Sequence, residues 1–253
     1  MKYVMNKTTK VLILVMSSLV VLTFFGVSYY YKYYNKSTDP RVVRAIEMYK
    51  GYNDLARSAN HQLILMLMDS MESIYSKYPH YQESYEIGII FNNRGAAFLS
   101  MAILPQTLVY TKDSLLNLSE YNVRKSIETY TSWLTSWGQK TLIEIKESLS
   151  KFFWQNDSVF VGKNLKRYYN KRAKEITEAQ KETYRRLSVS HTNLGMILRH
   201  KGDFEGAVKE YLKALEYWPD NLSAENNLNI LLNKPQKKPN IIRRIFPKER
   251  LKD

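Results

Sequence analysis

The chain contains no cysteine. Disulfides, thiolate nucleophiles, cysteine-ligated zinc and lipid-modified cysteine anchors are therefore excluded. Its nine glycines are scattered, and none builds a phosphate-cradling loop or a dinucleotide-binding turn. The four histidines, His61, His80, His191 and His200, match no metal-ligand spacing such as HExxH. No serine sits in a nucleophile elbow. Among the carboxylates only Asp69 follows a long apolar run, LILMLM, where burial would raise a pKa. The adjacent Ser70 and Glu72 mark it instead as the solvated edge of a helix. The expectation is a chain with no catalytic residues, no cofactor and no metal.

What is present suits a folded domain. The chain has 253 residues, 44% of them hydrophobic, enough for one medium or two small domains. Twenty tyrosines suit helix–helix seams and membrane–water boundaries. The net charge of +14 is concentrated at two stretches: Lys2, Lys7 and Lys10 in residues 1–10, and eight Lys or Arg against Glu249 and Asp253 in residues 234–253. The middle is only mildly basic. Phosphate contact would rest on the 234–253 tail alone, so nucleic acid is not the expected partner. Acidic lipid or an acidic protein suits that tail better.

Residues 11–31, VLILVMSSLVVLTFFGVSYYY, carry no charge. As a helix they span about 31 Å, enough for the hydrocarbon core of a bilayer. Lys10 and Lys32 bracket the run, and its tyrosines lie where an aromatic belt would. A cleaved signal peptide is the rival; its apolar region is ordinarily shorter, and Gly26-Val27-Ser28 is the only well-placed small-x-small site. The expected order is a basic tail (1–10), a transmembrane helix (11–31), a polar linker (32–40), a helical domain (41–233) and a basic, disordered tail (234–253). Lys2, Lys7 and Lys10 on one flank are balanced by Lys32, Lys36, Arg41 and Arg44 on the other, and the likeness of the run to a signal sequence favours a cytoplasmic tail and an exported domain.

Beyond the linker the pattern is helical throughout. Val42–Ala56 and Gln62–Tyr78 form a pair, the second with Leu63, Leu67, Met71, Ile74, Tyr75 and Tyr78 on its apolar face. Tyr85–Met101 follows, then an insertion from Pro105, and a capped helix resumes at Ser119 with Val123, Ile127, Tyr130 and Leu134 on one stripe. Trp137-Gly138 is a break, Leu142–Phe153 a further helix and residues 154–164 a loop. Leu165–Leu187 is a charged helix with a continuous path into the next, and Glu178, Lys181, Glu182 and Arg186 read as its solvated face.

The sharpest signal is Ser188–Asn221. Gly202-Asp203 separates two amphipathic helices, the second with Phe204, Ala207, Val208, Tyr211, Ala214 and Leu215 at helical spacing. His191, Leu194, Gly195 and Leu198, followed by Ala207, Tyr211, Ala214 and Pro219, resemble one tetratricopeptide (TPR) repeat, with His191 where the family often has Trp. Asn93-Arg94-Gly95-x-x-Phe98 echoes Asn193-Leu194-Gly195-x-x-Leu198, and Gly95 takes the same close-packing role. Leu222–Asn233 reads as a capping helix. The resemblance implies an all-α fold: an irregular TPR-like solenoid of helical hairpins behind a membrane helix.

It also implies a protein-binding groove on the inner face of the first helices, at Ile89, Asn92, Ala96, Leu99 and Ser100 in one repeat and Val189, Thr192, Met196, Arg199 and His200 in the other. Neither set holds a lysine, so the carboxylate clamp of chaperone-binding TPR domains is not implied. Packing within the chain is the competing use of the same positions. The join after Pro219, chiefly Asn227-Leu228, resembles bacterial envelope TPR proteins associated with MoxR-type ATPases, which implies an inner-membrane protein with an exported helical domain that assists assembly of an envelope complex. Two other functions stay open: a structural membrane subunit acting through residues 11–35, and an enzyme built on the 105–164 segment around Trp154 and Asp157.

Overall fold

The unbroken apolar run dictates the first element. In a computed structural model, which describes residues 6–35, 37–104, 111–153 and 156–238, helix α1 spans Lys7–Asn35. Its Lys7–Tyr29 portion has mean hydropathy 2.5 and no protein cover, so it is long and apolar enough to cross a membrane. Residues 1–5 and 239–253, with most of the basic tail, lie outside the described residues.

Among the described residues the remaining regular structure is also helical: α2 (Val43–Tyr49), α3 (Tyr52–Arg57), α4 (His61–Tyr75), α5 (Pro79–Gln82), α6 (Tyr85–Ile103), α7 (Lys112–Trp137), α8 (Leu142–Ser150), α9 (Leu165–His200), α10 (Phe204–Tyr217) and α11 (Leu222–Leu231), with a 3-10 turn at Ser158–Phe160. Three apolar clusters hold them together. Val42, Ile64, Met68, Tyr81 and Ile90 join α2, α4, α5 and α6. Trp133, Ile145, Phe160 and Ile176 join the end of α7 to α8 and the first half of α9. Leu99, Leu116, Val123, Leu194, Tyr211 and Leu228 join α6, α7, the second half of α9, α10 and α11. The 36 residues of α9 therefore serve two clusters, and the charged segment runs into the Ser188 helix without a break.

Several expected boundaries move. The polar linker does not exist as such: α1 continues to Asn35, and Ser37, Asp39 and Val42 are 3%, 5% and 1% exposed. The helix expected over Val42–Ala56 breaks at Lys50-Gly51 into α2 and α3. The turn before α4 has no glycine, so Ala59 takes the left-handed conformation, φ 52°, and the Asn60 side chain caps α4 by accepting from the Leu63 amide. In α4 the buried set is Ile64, Leu67, Met68, Met71 and Tyr75, while Leu63 is 45% exposed. A run in which nearly every position is apolar fixes the helix but not its inward face. The insertion is shorter than expected. Residues 112–118 are the first two turns of α7, capped by Thr111, whose hydroxyl accepts from the Ser114 amide at 3.2 Å. Ser119 is no cap but fully buried. Phe204, assigned to the apolar stripe of α10, is 58% exposed, and Pro219, assigned to packing, is exposed beyond Trp218, where α10 ends.

Two hairpins share a packing device. A Cβ on Gly195 would lie 2.5 Å from the Tyr211 ring of α10, and one on Gly88 would lie 2.4 Å from the Tyr130 ring of α7. In each, a glycine on the first helix receives a tyrosine from the second. The sequence echo pairs Gly95 with Gly195, yet Gly95 meets Val123 and the Ser119 backbone, and the glycine facing a tyrosine is Gly88, two turns earlier. Hydroxyls complete both seams: Ser126 donates to the Gly88 carbonyl at 2.8 Å, Ser119 to that of Gly95 at 2.7 Å, and Ser188 to that of Ala214 at 2.6 Å.

Candidate functional site

Where α6 and α9 approach, a polar seam sets their spacing. The Asn92 side-chain oxygen accepts from Ser190 Oγ at 2.9 Å and from Asn193 Nδ2 at 3.0 Å. Beside it the helices diverge around a concavity of about 360 Å³ lined by Tyr49, Ile89, Asn92, Asn93, Tyr130, Glu182, Arg185, Arg186, Val189 and Trp218. Three expected groove residues, Ile89, Asn92 and Val189, thus share one lining although they are a hundred residues apart in the chain.

The other groove positions do not join them. Leu99 is 4% exposed and belongs to the cluster that includes Leu116 and Leu194. Thr192 is 3% exposed; its hydroxyl donates to the Ser188 carbonyl and accepts from Asn221 Nδ2 at 3.0 Å. Packing takes both. Met196 is half-buried against the same cluster as Leu99. Arg199 donates to Asn227 Oδ1 at 3.2 Å, tying α9 to α11. Ser100 is engaged by His61 Nε2 at 2.8 Å. Ala96 and His200 are half-buried and do not line the concavity; burial, then the nearby Arg199 and Lys112 charges, lower the His200 pKa.

Charge distinguishes the concavity. The Arg185 guanidinium lies 4.6 Å from the centroid of the Trp218 ring and 3.3 Å from Glu182. Arg186 lies over Tyr85 at 5.0 Å, and its Nη1 is buried without a hydrogen-bond acceptor. Arg186 was expected on the solvated face of its helix, as Glu178, Lys181 and Glu182 are; it is instead half-buried in the lining. A buried guanidinium hydrogen with no acceptor is costly, and an acceptor brought by a ligand would satisfy it. The lining also provides aromatic faces at Tyr49 and Trp218 and the Asn93 amide, which donates to the Tyr49 hydroxyl at 3.3 Å. These groups suit an extended segment with apolar and acidic side chains. Arg185, Arg186, Trp218 and Tyr49 escape the sequence reading because Lys/Arg/Glu-rich helices usually carry such charges in solvent.

His191 does more than replace a bulky ring. It stacks on Tyr217, centroids 5.3 Å apart, and its Nδ1 is 2.6 Å from Glu210. The pair joins α9 to α10; burial raises the Glu210 pKa, but the contacts with His191 and Lys213 together outweigh it and the net shift is downward. In the 105–164 segment, Asp157 caps the 3-10 turn by accepting from the Val159 amide and lies 3.5 Å from Arg41. Trp154 lies outside the described residues.

No protein-family model, curated protein or solved structure matches this chain.

Proposed function

We propose that this chain is a membrane-anchored scaffold of TPR-like helical hairpins that holds a segment of a protein partner in the α6–α9 concavity. The observation that carries the reading is the convergence of Ile89, Asn92 and Val189 on one lining with Trp218, Arg185 and Arg186. The repeated glycine–tyrosine seam of α6/α7 and α9/α10 supports the hairpin part of the proposal. So does α11, whose N-cap Asn221 donates to Ser188 and Thr192 and so fastens a terminal helix over the last hairpin. The anchor is α1, and the envelope-protein resemblance favours an inner-membrane location with the domain exported and a role in assembling an envelope complex.

The test is photo-crosslinking of the full chain in native membranes, with the reactive group at residue 89, at residue 189 and, separately, in α1. Capture of one and the same protein from 89 and 189, lost in Arg186→Glu, is the expected result. Capture from α1 alone would transfer the function to a structural membrane subunit.

A further inference from the structure

Only residue 36 separates α1 from Ser37, which is already buried in the helical domain. Two residues of chain reach at most about 7 Å. The four residues after Tyr31, up to Asn35, add about 6 Å of helix. Ser37 is therefore no more than about 13 Å beyond the hydrocarbon edge of any bilayer that α1 crosses, at or just outside a headgroup layer roughly 5–8 Å deep. The part of the domain that holds Ser37 must share this position. That part is α9, whose Arg167 Nε donates to Ser37 Oγ at 2.6 Å and whose Lys171 Nζ donates to Thr38 Oγ1 at 2.5 Å.

The chemistry of this stretch fits a lipid surface. Between Asp157 and Glu175 the chain has six Lys or Arg and no carboxylate. In α9 positions 167, 171 and 174 follow helical spacing, with Lys163 just ahead of its start; Arg167 and Lys171 meet Ser37 and Thr38, and the other cations of the stretch surround them. Lys163, Lys166 and Lys174 are exposed. Lys166 and Lys174 form no ion pair among the described residues. No acidic residue occupies the first turn of α9, where one would offset the helix dipole. Ahead of the lysines, Val161 is 68% exposed at the tip of the loop.

We propose that the basic face over the first three turns of α9, with Val161 at its leading edge, rests on anionic lipid headgroups of the bilayer crossed by α1. The inference rests on the reading of α1 as an anchor. Attraction to an anionic leaflet is strong within one Debye length of the surface, and the tether holds this face there.

The cysteine-free chain permits a direct test with the full-length protein. Val161→Cys and Leu212→Cys variants are labelled with an environment-sensitive fluorophore and reconstituted in vesicles containing headgroup-quencher lipid, either 30% phosphatidylglycerol or all phosphatidylcholine. Leu212 is 53% exposed on α10, which packs on the far half of α9, about 40 Å along that helix. The expected result is at least twofold stronger quenching at 161 than at 212 in anionic vesicles. The difference falls in 0.5 M salt, in phosphatidylcholine and in Lys166→Glu/Lys174→Glu, whose helical circular dichroism is unchanged. Equal quenching at both sites, or quenching at 161 indifferent to lipid charge, overturns the inference and leaves the anchor standing. Protein that does not float with the vesicles overturns the anchor and the inference with it.

Discussion

Arg172 is 4% exposed and donates to both carboxylate oxygens of Glu86, at 2.5 and 3.0 Å, while stacking over Tyr81 and Tyr85 at 4.6 and 5.2 Å. Burial works against the Glu86 carboxylate, but the Arg172 charge and the hydrogen bonds that Glu86 accepts together outweigh it, and the net shift is downward. Removing one partner strands the other charge in the interior. Arg172→Ala is expected to cost about 3–5 kcal/mol, and a second change, Glu86→Leu, to recover part of it; chemical denaturation midpoints of the two variants check this. Asp39 is held in a similar way. Burial pushes its carboxyl up, yet the Arg41 guanidinium, whose Nη2 lies 2.7 Å from Oδ2, helps bring it down to about 2. Arg41 Nη2 is 3.1 Å from His80 Nε2; a guanidinium only donates, so Nε2 accepts and the ring is neutral. Burial accordingly lowers the His80 pKa. A carboxyl with a depressed folded-state pKa contributes stability that is present above its unfolded value near 4 and lost as pH falls through about 2. Neutral His80 adds a loss with the same sign, beginning below about 6.5. Glu175, pushed up by burial, opposes them. Wild type should therefore lose about 2 kcal/mol more than Asp39→Asn between pH 4.5 and 2, read from urea midpoints across that range.

At the scale of the element, the glycine–tyrosine seams set how closely the hairpins close. Alanine at 195 improves helix propensity by up to about 1 kcal/mol, but its methyl would meet the Tyr211 ring at 2.5 Å. Tyr211 is fully buried, so the ring cannot yield without opening the seam, and overpacking of this kind costs about 1–3 kcal/mol. The cost wins: Gly195→Ala and Gly88→Ala should each lower the thermal midpoint, while Gly26→Ala, with nothing within 4 Å of its Cβ, should not. The Ser188–Asn221 hairpin was legible because Leu194, Gly195, Leu198, Ala207, Tyr211 and Ala214 keep fixed offsets across a short turn. The α6/α7 hairpin was half-legible. Gly95 and Ser126 stand out, but the equivalent contact at Gly88 pairs with Tyr130 42 residues away, and no local spacing connects them. Ile89, Asn92 and Val189 were reached by analogy between helices. Arg186 and Trp218 were not, because a charge and a helix-ending ring acquire meaning only when α6 faces α9.

For the whole molecule the decisive fact is how few residues separate α1 from the packed domain: only residue 36 lies between Asn35 and buried Ser37. Residues 37–40 read as part of the 32–40 spacer because Ser, Thr, Asp and Pro are loop formers, yet Ser37 and Thr38 accept from Arg167 and Lys171 of α9, and the neighbouring Arg41 Nη1 donates to the Phe152 carbonyl at 3.0 Å. Arg41 also lies 4.7 and 4.8 Å from the Phe153 and Phe160 rings. A spacer could be cut or lengthened with little effect; a packed segment can be lengthened before its start but not removed. Inserting six Gly/Ser residues after position 36 lengthens the chain ahead of the packed Ser37 and should leave the thermal midpoint of the domain unchanged. Deleting residues 37–42 removes buried Val42, worth about 1.5–3 kcal/mol, and takes from Lys171 and Asp157 their contacts with Thr38 and Arg41, so the midpoint should fall by at least the Val42 share. Calorimetry of the two variants separates the cases. The insertion also lets the domain rise from the bilayer, so its midpoint should stay fixed while headgroup quenching at residue 161 falls. Fold stability and membrane contact would then respond independently to changes six residues apart, because the first depends on what Ser37 to Val42 touch and the second on how short the path is from Tyr31.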